Sequence, residues 1–213
     1  MRSPISSVRE SRRLTSGFSL IELLIVLAIS LIATVVAIPL IGNTVAQYRL
    51  RSSAVDLDAF LQRARVTSLR DNRTYNVRTA PDTSGGFTYT RVYVDVNSNG
   101  LWDPLPPAGP EPSIELQRDI TLAAPGTPVS NATLGFAPQT ISTAVPAGFN
   151  SRGLPCFNNP CSSSVLVGGV PTQVGYVYYL RYGTGAASRW AAISISPSGR
   201  MRSWSYSGST WSY

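Results

Sequence analysis

Residues 12–39 read RRLTSGFSLIELLIVLAISLIATVVAIP, and this stretch decides the fold and most of the functional interpretation. A basic leader ends in Gly17, an aromatic residue follows at Phe18, and an apolar run of more than twenty residues then begins. Glu22 is the one charged residue within that run. An ionised carboxylate in a bilayer costs roughly 2.5 kcal/mol or more, so Glu22 is by default a functional residue.

Two ordinary kinds of segment explain part of this pattern. A secretory signal peptide also has a basic start and an apolar core, but its core is usually shorter and uncharged. A plain N-terminal anchor explains the length, because about 20 apolar residues span a bilayer. Neither explains why Gly17 and Phe18 occur together with Glu22.

The stretch resembles the processing site of type IV pilins and type II secretion pseudopilins. This resemblance implies that a prepilin peptidase cleaves between Gly17 and Phe18 and that the new N-terminus at Phe18 is methylated. Glu22 then becomes the fifth residue of the mature chain, and Pro39 the twenty-second, where many members have a helix-kinking proline. The Glu22 carboxylate is expected to neutralise the terminal amine of a neighbouring subunit, because a paired charge is tolerable in an apolar filament core.

The organisation along the chain follows from the same stretch. Residues 1–17 are the leader, residues 18–45 the transmembrane or filament-core half of a long helix, and residues 46–213 a periplasmic globular domain. The four arginines of the leader are expected to keep the N-terminus in the cytoplasm. The apolar run that follows is expected to make the protein single-pass in the inner membrane. From there it is expected to enter a pilus or pseudopilus, with other pilin-like subunits, the peptidase-methyltransferase and the membrane as partners.

The first helix is predicted from about residue 18 to residue 70. After Gln47, apolar or small residues recur at alternating spacings of four and three, which predicts one face that packs on a sheet. These residues are Leu50, Ala54, Leu57, Leu61, Ala64 and Ser68.

The rest of the chain alternates β-branched and aromatic segments with glycine and proline, which is typical of short strands. The predicted strands are residues 74–79, 86–94, 132–137, 163–168, 176–181, 190–196 and 200–206. Residues 103–112 are too rich in proline for regular structure and are predicted to form a loop. The pattern therefore indicates an α+β fold with a mainly antiparallel sheet on which the long N-terminal helix packs. The resemblance to pilins implies that this fold is type IV pilin-like.

The composition argues against enzymatic chemistry. All eighteen basic residues are arginine, and the chain has neither lysine nor histidine, so the commonest catalytic bases are missing. No catalytic residues are predicted, and a membrane-anchored periplasmic enzyme stays the alternative. Cys156 and Cys161 are expected to form a disulfide, because the periplasm is oxidising and the short loop between them can close. A metal site is not expected there, because two thiolates without a histidine do not make a set of four ligands.

Residues 95–103 read DVNSNGLWD and match the first part of a calcium-binding loop. The ligands in such a site would be Asp95, Asn97, Asn99, Leu101 and Asp103. The twelfth position, however, is Pro106 in place of the usual bidentate glutamate. The alternative is a hairpin loop in which Asn99 and Gly100 supply the positive φ angles. No other cofactor is expected.

The C-terminal part of the chain has a one-sided charge. The last acidic residue is Asp119, and five arginines follow it, which favours an anionic partner. The order of a long helix, a β-rich domain, the segments VYVDVNSNGLWD and GFNSRG, and a closing SPSGRMR resembles the GspH/FimT branch of minor pilins and pseudopilins.

The four residues GRMR resemble the GRxR element of DNA-binding FimT-like minor pilins. That resemblance implies that Arg200 and Arg202 contact phosphates and that Gly199 lets the backbone turn or approach closely. Further candidates for the same DNA-binding surface are Arg181 and Arg189, which extend the basic track, and Trp204, which stacks on an exposed base. The alternative is an amphipathic edge strand whose tryptophan packs on the domain and whose arginines are only solvated.

Overall fold

The computed structural model describes residues 18–84, 86–104, 111–139, 141, 146–157, 161–167, 169–185 and 188–213. The predicted leader, including Gly17, lies outside these residues. The chain divides into two compact units, Met1–Asn43 and Thr44–Tyr213.

Helix α1 spans Leu20–Asp71, so the predicted long N-terminal helix is confirmed. In the first unit, the apolar side chains that the structure describes are exposed, as for Leu31 at 66% and Val35 at 72%. The Ser30 hydroxyl donates to the Val26 carbonyl oxygen at 2.8 Å, which satisfies this polar side chain within the helix. Pro39 lies within α1, but its side chain is outside the described part of the chain.

Among the described residues, no helix combines the length and the apolar character needed to cross a membrane.

In the second unit, the predicted apolar face of α1 is buried along its whole length. Leu57 and Leu61 are fully buried, and Leu50, Ala54, Ala64 and Ser68 are each exposed by less than a tenth. The polar members of this face are bonded: Ser68 Oγ donates to the Arg65 carbonyl oxygen at 2.7 Å, and Ser53 Oγ accepts from Gln117 N at 2.9 Å. The spacing of four and three therefore identified the buried side of the helix correctly.

The second unit contains two five-stranded antiparallel sheets. The first contains β1 Tyr75–Ser84, β2 Phe87–Asp95, β3 Ser113–Glu115, β5 Ala147–Phe149 and β6 Pro155–Phe157, in the order β3-β2-β1-β5-β6. The second contains β4 Ile120–Leu122, β9 Tyr176–Tyr182, β10 Arg189–Ile195, β11 Met201–Tyr206 and β12 Trp211–Ser212, in the order β12-β11-β10-β9-β4. A separate hairpin pairs β7 Ser164–Val167 with β8 Val170–Gln173. The antiparallel part of the predicted fold class is thus confirmed.

The main core is shared by α1 and both sheets. It contains Leu57 and Leu61 from the helix, Val92 from the first sheet, and Leu180 and Ile193 from the second. Because side chains alternate along a strand, residues such as Ala192 point away from this core. On that opposite face of the second sheet a smaller cluster forms from Val129, Val177, Ala192 and Trp204.

The structure corrects one predicted strand. Residues 132–137 do not form a strand, because Asn131–Leu134 is the short helix α2. Ser130 caps this helix by accepting a hydrogen bond from Thr133 N at 3.2 Å, and Gly135 ends it with a φ of 78°. These capping residues outweigh the β-propensity of the segment. In the predicted proline-rich loop, residues 103–104 and 111–112 are irregular, and residues 105–110 lie outside the described part of the chain.

Candidate functional site

The start of α1 presents Phe18 and Glu22 to solvent. Phe18 precedes the helix and is 81% exposed. Ser19 caps the helix, because its hydroxyl accepts a hydrogen bond from Ile21 N at 3.3 Å. Glu22 is exposed in the first turn, where a carboxylate is favoured by the positive end of the helix dipole.

Cys156 and Cys161 form a disulfide in which the Cα atoms lie 5.2 Å apart. Cys156 is fully buried in β6, where it pairs with Gly148 of β5. Next to the bridge, Phe157 and Ser162 exchange two backbone hydrogen bonds of 2.9 Å. The disulfide therefore closes a narrow loop at the β6 edge of the first sheet.

The loop after β2 is organised around an ion pair. Asp95 is fully buried, and its Oδ2 accepts hydrogen bonds from Arg78 Nε at 2.7 Å and Gly100 N at 3.0 Å. The Arg78 guanidinium packs under the loop, 3.6 Å from the position that a Cβ would take at Gly100. Gly100 has a φ of 80°, as the hairpin alternative requires, but the other positive φ in this loop is that of Ser98, at 60°, and not that of Asn99. The positive charge beside Asp95 is thus an arginine of the same chain.

The other predicted calcium ligands are bonded to one another. The amides of Asn97 and Asn99 donate to Asp103 Oδ2 at 2.5 and 2.8 Å, and the buried Glu111 carboxylate accepts from Val96 N and Asp103 N. The described residues contain no group of three or more His, Cys, Asp or Glu that could hold a metal ion. Arg78 thus already supplies a cation to Asp95, and a calcium ion at these residues stays a prediction. Leu101 is exposed, and its N–H donates to Asn99 Oδ1 at 2.7 Å.

The GRMR element lies in and after the hairpin turn that joins β10 to β11. Gly199 has a φ of 79°, and its N–H donates to the Ser196 carbonyl oxygen at 2.7 Å. Arg200 is exposed directly after the turn, with its N–H bonded to Ser196 Oγ at 3.1 Å. Arg202 is half-buried in β11, opposite Ser194 of β10. The two arginines therefore present their charges close to one tight turn.

Trp204 is not available to stack on a base, so this part of the sequence prediction is wrong. It is only 3% exposed, and its Nε1 donates to Ser194 Oγ at 2.8 Å. Its ring packs edge-on against Tyr213 at a centroid distance of 5.3 Å. Strand alternation does place Arg202 and Trp204 on one face, but Val129 packs in the same cluster as Trp204 and helps to bury it. For Trp204, the alternative of a packed strand is correct.

The arginines of the predicted basic track do not all lie on the same face of the second sheet. Arg181 pairs with Trp190 across β9 and β10, and its guanidinium lies 5.9 Å from the centre of that ring. Arg202 pairs with Ser194, four residues further along β10, or about 13 Å at the rise of a strand. Arg181 and Arg202 thus share one face, whereas Arg189, at the start of β10, points to the other.

A structural role for Arg65 was not predicted from the sequence. Arg65 lies outside the apolar face of α1, and polar residues at such positions are usually solvated. Its Nε donates to the Gly153 carbonyl oxygen at 2.9 Å, and its Nη1 donates to the Gly199 carbonyl oxygen at 2.8 Å. Gly153 lies in the β5–β6 turn and Gly199 in the β10–β11 turn. The segments GFNSRG and SPSGRMR, which are far apart in sequence, therefore meet at one side chain of α1.

Residues 12–38 match the family model described as the prokaryotic N-terminal methylation motif. The matched range contains the end of the basic leader, the exposed Phe18 and Glu22, and much of the apolar part of α1. No curated protein and no solved structure matches the chain significantly. The motif, joined to a long N-terminal helix and antiparallel sheets, supports a type IV pilin-like protein. It implies processing by prepilin peptidase, assembly with other pilin subunits and a pilus or membrane-associated location.

Proposed function

We propose that the chain is a non-enzymatic minor pilin or pseudopilin of the GspH/FimT type. Prepilin peptidase cleaves it between Gly17 and Phe18, the new amine is methylated, and the subunit then enters a type IV pilus or a type II secretion pseudopilus. The observation that carries the proposal is the methylation motif at residues 12–38, which coincides with a capped helix start at which Phe18 and Glu22 are exposed.

The exposed apolar side chains of the first unit support this function. Ile21, Leu31 and Val35 are each more than 60% exposed, on a helix that continues into the second unit. Apolar surface of this extent needs a cover. In our proposal the inner membrane covers it before assembly, in a single pass with the leader in the cytoplasm, and the helices of other subunits cover it afterwards.

Glu22 has a specific role in this proposal. Cleavage creates a positive amine at Phe18, and a carboxylate on a neighbouring subunit stabilises that amine within an apolar filament core. The position of Glu22 in the first helical turn suits this pairing, because it projects beside the helix start.

The test is intact-mass analysis of the protein extracted from membranes of cells with and without prepilin peptidase. Peptidase-positive cells should yield a chain that begins at Phe18 with one added methyl group. Glu22→Gln should be processed and yet fail to enter filaments, whereas the control Ser30→Ala, in the same apolar segment, should assemble. Retention of the leader in peptidase-positive cells, or cleavage beyond Ala33, would sink the proposal.

A second candidate function is DNA binding by the β10–β11 turn. It is favoured by the exposed Arg200 beside Arg202 and by the absence of acidic residues after Asp119 in the sequence. Arg181 lies on the same sheet face as Arg202 and extends the surface, but Trp204 and Arg189 do not belong to it. Contacts between a few arginines and phosphates predict binding that is weak, independent of sequence and strongly weakened by salt.

This function is tested by fluorescence anisotropy with labelled DNA and the full chain in lipid nanodiscs. Arg200→Gln combined with Arg202→Gln should abolish most of the binding. The matched control, Arg51→Gln with Arg63→Gln, removes the same charge from exposed positions of α1 and should bind nearly as well as the wild type. Equal loss in both double variants would mean that net charge alone attracts DNA.

A further inference from the structure

Helix α1 carries a second repeat on the side that faces away from the sheets. From Val45 to Leu69, steps of three and four residues alternate strictly along this side. The eight residues form what is called here the outer seam: Val45, Tyr48, Ser52, Val55, Ala59, Gln62, Val66 and Leu69. An alternation of three and four residues is the heptad spacing of a helix that packs lengthwise against another helix.

The outer seam is uncovered within the second unit. Its five large apolar side chains are each at least 40% exposed, with Val55 at 66% and Val66 at 62%. The opposite face of the same helix, which includes Leu57 and Leu61, is already covered by the sheets. The seam runs for about seven helical turns, and a continuous apolar stripe of this kind marks an interaction surface.

The charged residues beside the seam lack partners in their own chain. Arg51, Asp56, Asp58 and Arg63 form no ion pair with any residue that the structure describes. Asp58 accepts a hydrogen bond from the neutral amide of Gln62 at 2.8 Å. These four residues flank the seam at the two heptad positions whose charges decide which helices pair and in which orientation.

The order of these charges identifies the partner. In two parallel helices in register, a flanking residue on one side lies beside the residue five positions further along the other helix. Arg51 of one copy of this chain then meets Asp56 of a second copy, and Asp58 meets Arg63. Each pair occurs twice because such a dimer is symmetric, so the sequence is complementary to itself in this arrangement.

The next flanking pair in the repeat has like charges, but both guanidinium groups already have partners. Arg65 donates to the carbonyl oxygens of Gly153 and Gly199, and Arg70 Nε donates to Asp71 Oδ1 at 2.8 Å. Arg65 is thus turned away from the seam, and Asp71 neutralises Arg70. Repulsion at this end of the seam is therefore small.

We propose that a second copy of this chain docks on the outer seam as a parallel helix pair in register. The apolar seam residues pack against their equivalents, and the two kinds of ion pair fix the orientation. The proposal rests on the membrane anchor of the proposed function, because two copies inserted in one direction hold their helices parallel and at equal depth. Polar Ser52 and Gln62 weaken the pairing, so confinement in the membrane contributes much of the association.

The test is cysteine cross-linking of the full chain in membranes of cells that lack prepilin peptidase. Without processing no filament forms, so contacts between filament subunits do not contribute. Because the native cysteines are bonded to each other, an added cysteine supplies the free thiol. Val55→Cys and Val66→Cys should each link two copies of the chain. The matched control is Ala132→Cys, at an exposed position of α2, which should not.

The orientation is tested with two copies that carry tags of different size, one with Val45→Cys and one with Leu69→Cys. Parallel pairing in register predicts links only between equal positions, because Val45 and Leu69 lie at opposite ends of the seam. Links between Val45→Cys and Leu69→Cys would show antiparallel helices. That result, the absence of links, or links to a different protein would overturn the proposal.

Exchange of charges tests the ion pairs in the Val66→Cys background. Arg51→Asp alone, or Asp56→Arg alone, should lower the cross-linked fraction roughly fivefold, because each places like charges opposite each other. The two substitutions together should restore the fraction, since they recreate the pair with its charges reversed. If neither single substitution lowers the fraction, or the double variant does not restore it, the proposed pairing is wrong.

Flotation of the same membranes, and intact mass in peptidase-positive cells, report separately on the proposed function. A chain that floats with the membranes and is processed, yet forms no links, would overturn the dimer and leave the proposed function intact. A chain that does not float would overturn the anchor, and the dimer with it.

Discussion

The guanidinium of Arg65 lies directly against Gly199. Arg65 Nη1 donates a hydrogen bond of 2.8 Å to the Gly199 carbonyl oxygen, and a Cβ added at Gly199 would come within 2.8 Å of Arg65 Cζ. Gly199 therefore serves two purposes: it permits a φ of 79° in the turn, and it leaves room for the arginine. The close approach that the sequence suggested for the Gly199 backbone is therefore made to Arg65, a side chain of the same protein.

Replacement of Gly199 by alanine should destabilise the fold through both effects. Gly183→Ala is the matched control, because Gly183 has a φ of 72° and nothing within 4 Å of an added Cβ. The left-handed conformation alone costs roughly 1–2 kcal/mol, so Gly183→Ala should show this loss and Gly199→Ala a larger one. Urea unfolding of the full chain measures both. Equal losses would mean that Arg65 moves aside freely.

Loss of the Arg65 side chain should lower the free energy of unfolding by roughly 2–3 kcal/mol, because two carbonyl oxygens lose a charged donor. Arg63→Met is the control, since Arg63 is exposed on the same helix and the substitution removes the same charge. Hydrogen exchange should also speed up in both glycine turns of the Arg65→Met variant. Faster exchange in only one turn would contradict the view that a single side chain holds both.

Alkaline pH should destabilise the second unit through its buried tyrosines. Burial raises the pKa of Tyr176 and Tyr178 above the value of about 10 that they have in the unfolded chain. Their protonated hydroxyls therefore contribute fully to the free energy of unfolding below about pH 10, and this contribution is lost as the pH rises above that value. The chain has no lysine or histidine and both cysteines are bonded, so tyrosines dominate this range.

The measurement is the free energy of unfolding between pH 8 and 12, and it should fall with a shallower slope in Tyr176→Phe and Tyr178→Phe. Tyr48→Phe, at an exposed position, should keep the wild-type slope.

The disulfide should protect the edge of the first sheet. Thiol labelling of the denatured, unreduced protein should modify neither Cys156 nor Cys161. For a loop this short, its removal by Cys156→Ser with Cys161→Ser should cost roughly 2 kcal/mol, on the view that cross-links restrict the unfolded chain. Labelling of both cysteines without reductant would refute the bond.

The buried face of α1 should be the most sensitive part of the helix. Leu57→Ala is expected to cost about 2–5 kcal/mol, because it creates a cavity where the helix meets both sheets. Val55→Ala, two residues earlier and at a position that is 66% exposed, should change the free energy of unfolding by less than about 0.5 kcal/mol. Similar losses in the two variants would place the core elsewhere.

The helix was predictable because its signals repeat over many turns. The spacing that includes Leu57 and Leu61 is local, and so are the β-branched runs of β2, β9 and β10. By contrast, β5 is only Ala147–Phe149, and its central Gly148 is set by the close packing of the Tyr75 backbone. Such a contact between distant parts of the chain leaves no periodic pattern in the sequence.

The candidate sites also differ in how well the sequence predicts them. The methylation motif is contiguous, so it could be identified directly from residues 12–38. Whether Trp204 is buried depends on which face of β11 is covered by the segment around Val129. Strand alternation alone does not predict this. Likewise, Asp95 forms an ion pair with Arg78, although the sequence around Asp95 resembles a calcium-binding loop. Only the pairing of β1 with β2 brings these two residues together.

The position of Arg65 has a mechanical consequence. Its two hydrogen bonds reach a turn of the first sheet and a turn of the second, so a pulling force on this part of α1 is shared between both sheets at once. A force that is divided between the two sheets does not detach one sheet before the other.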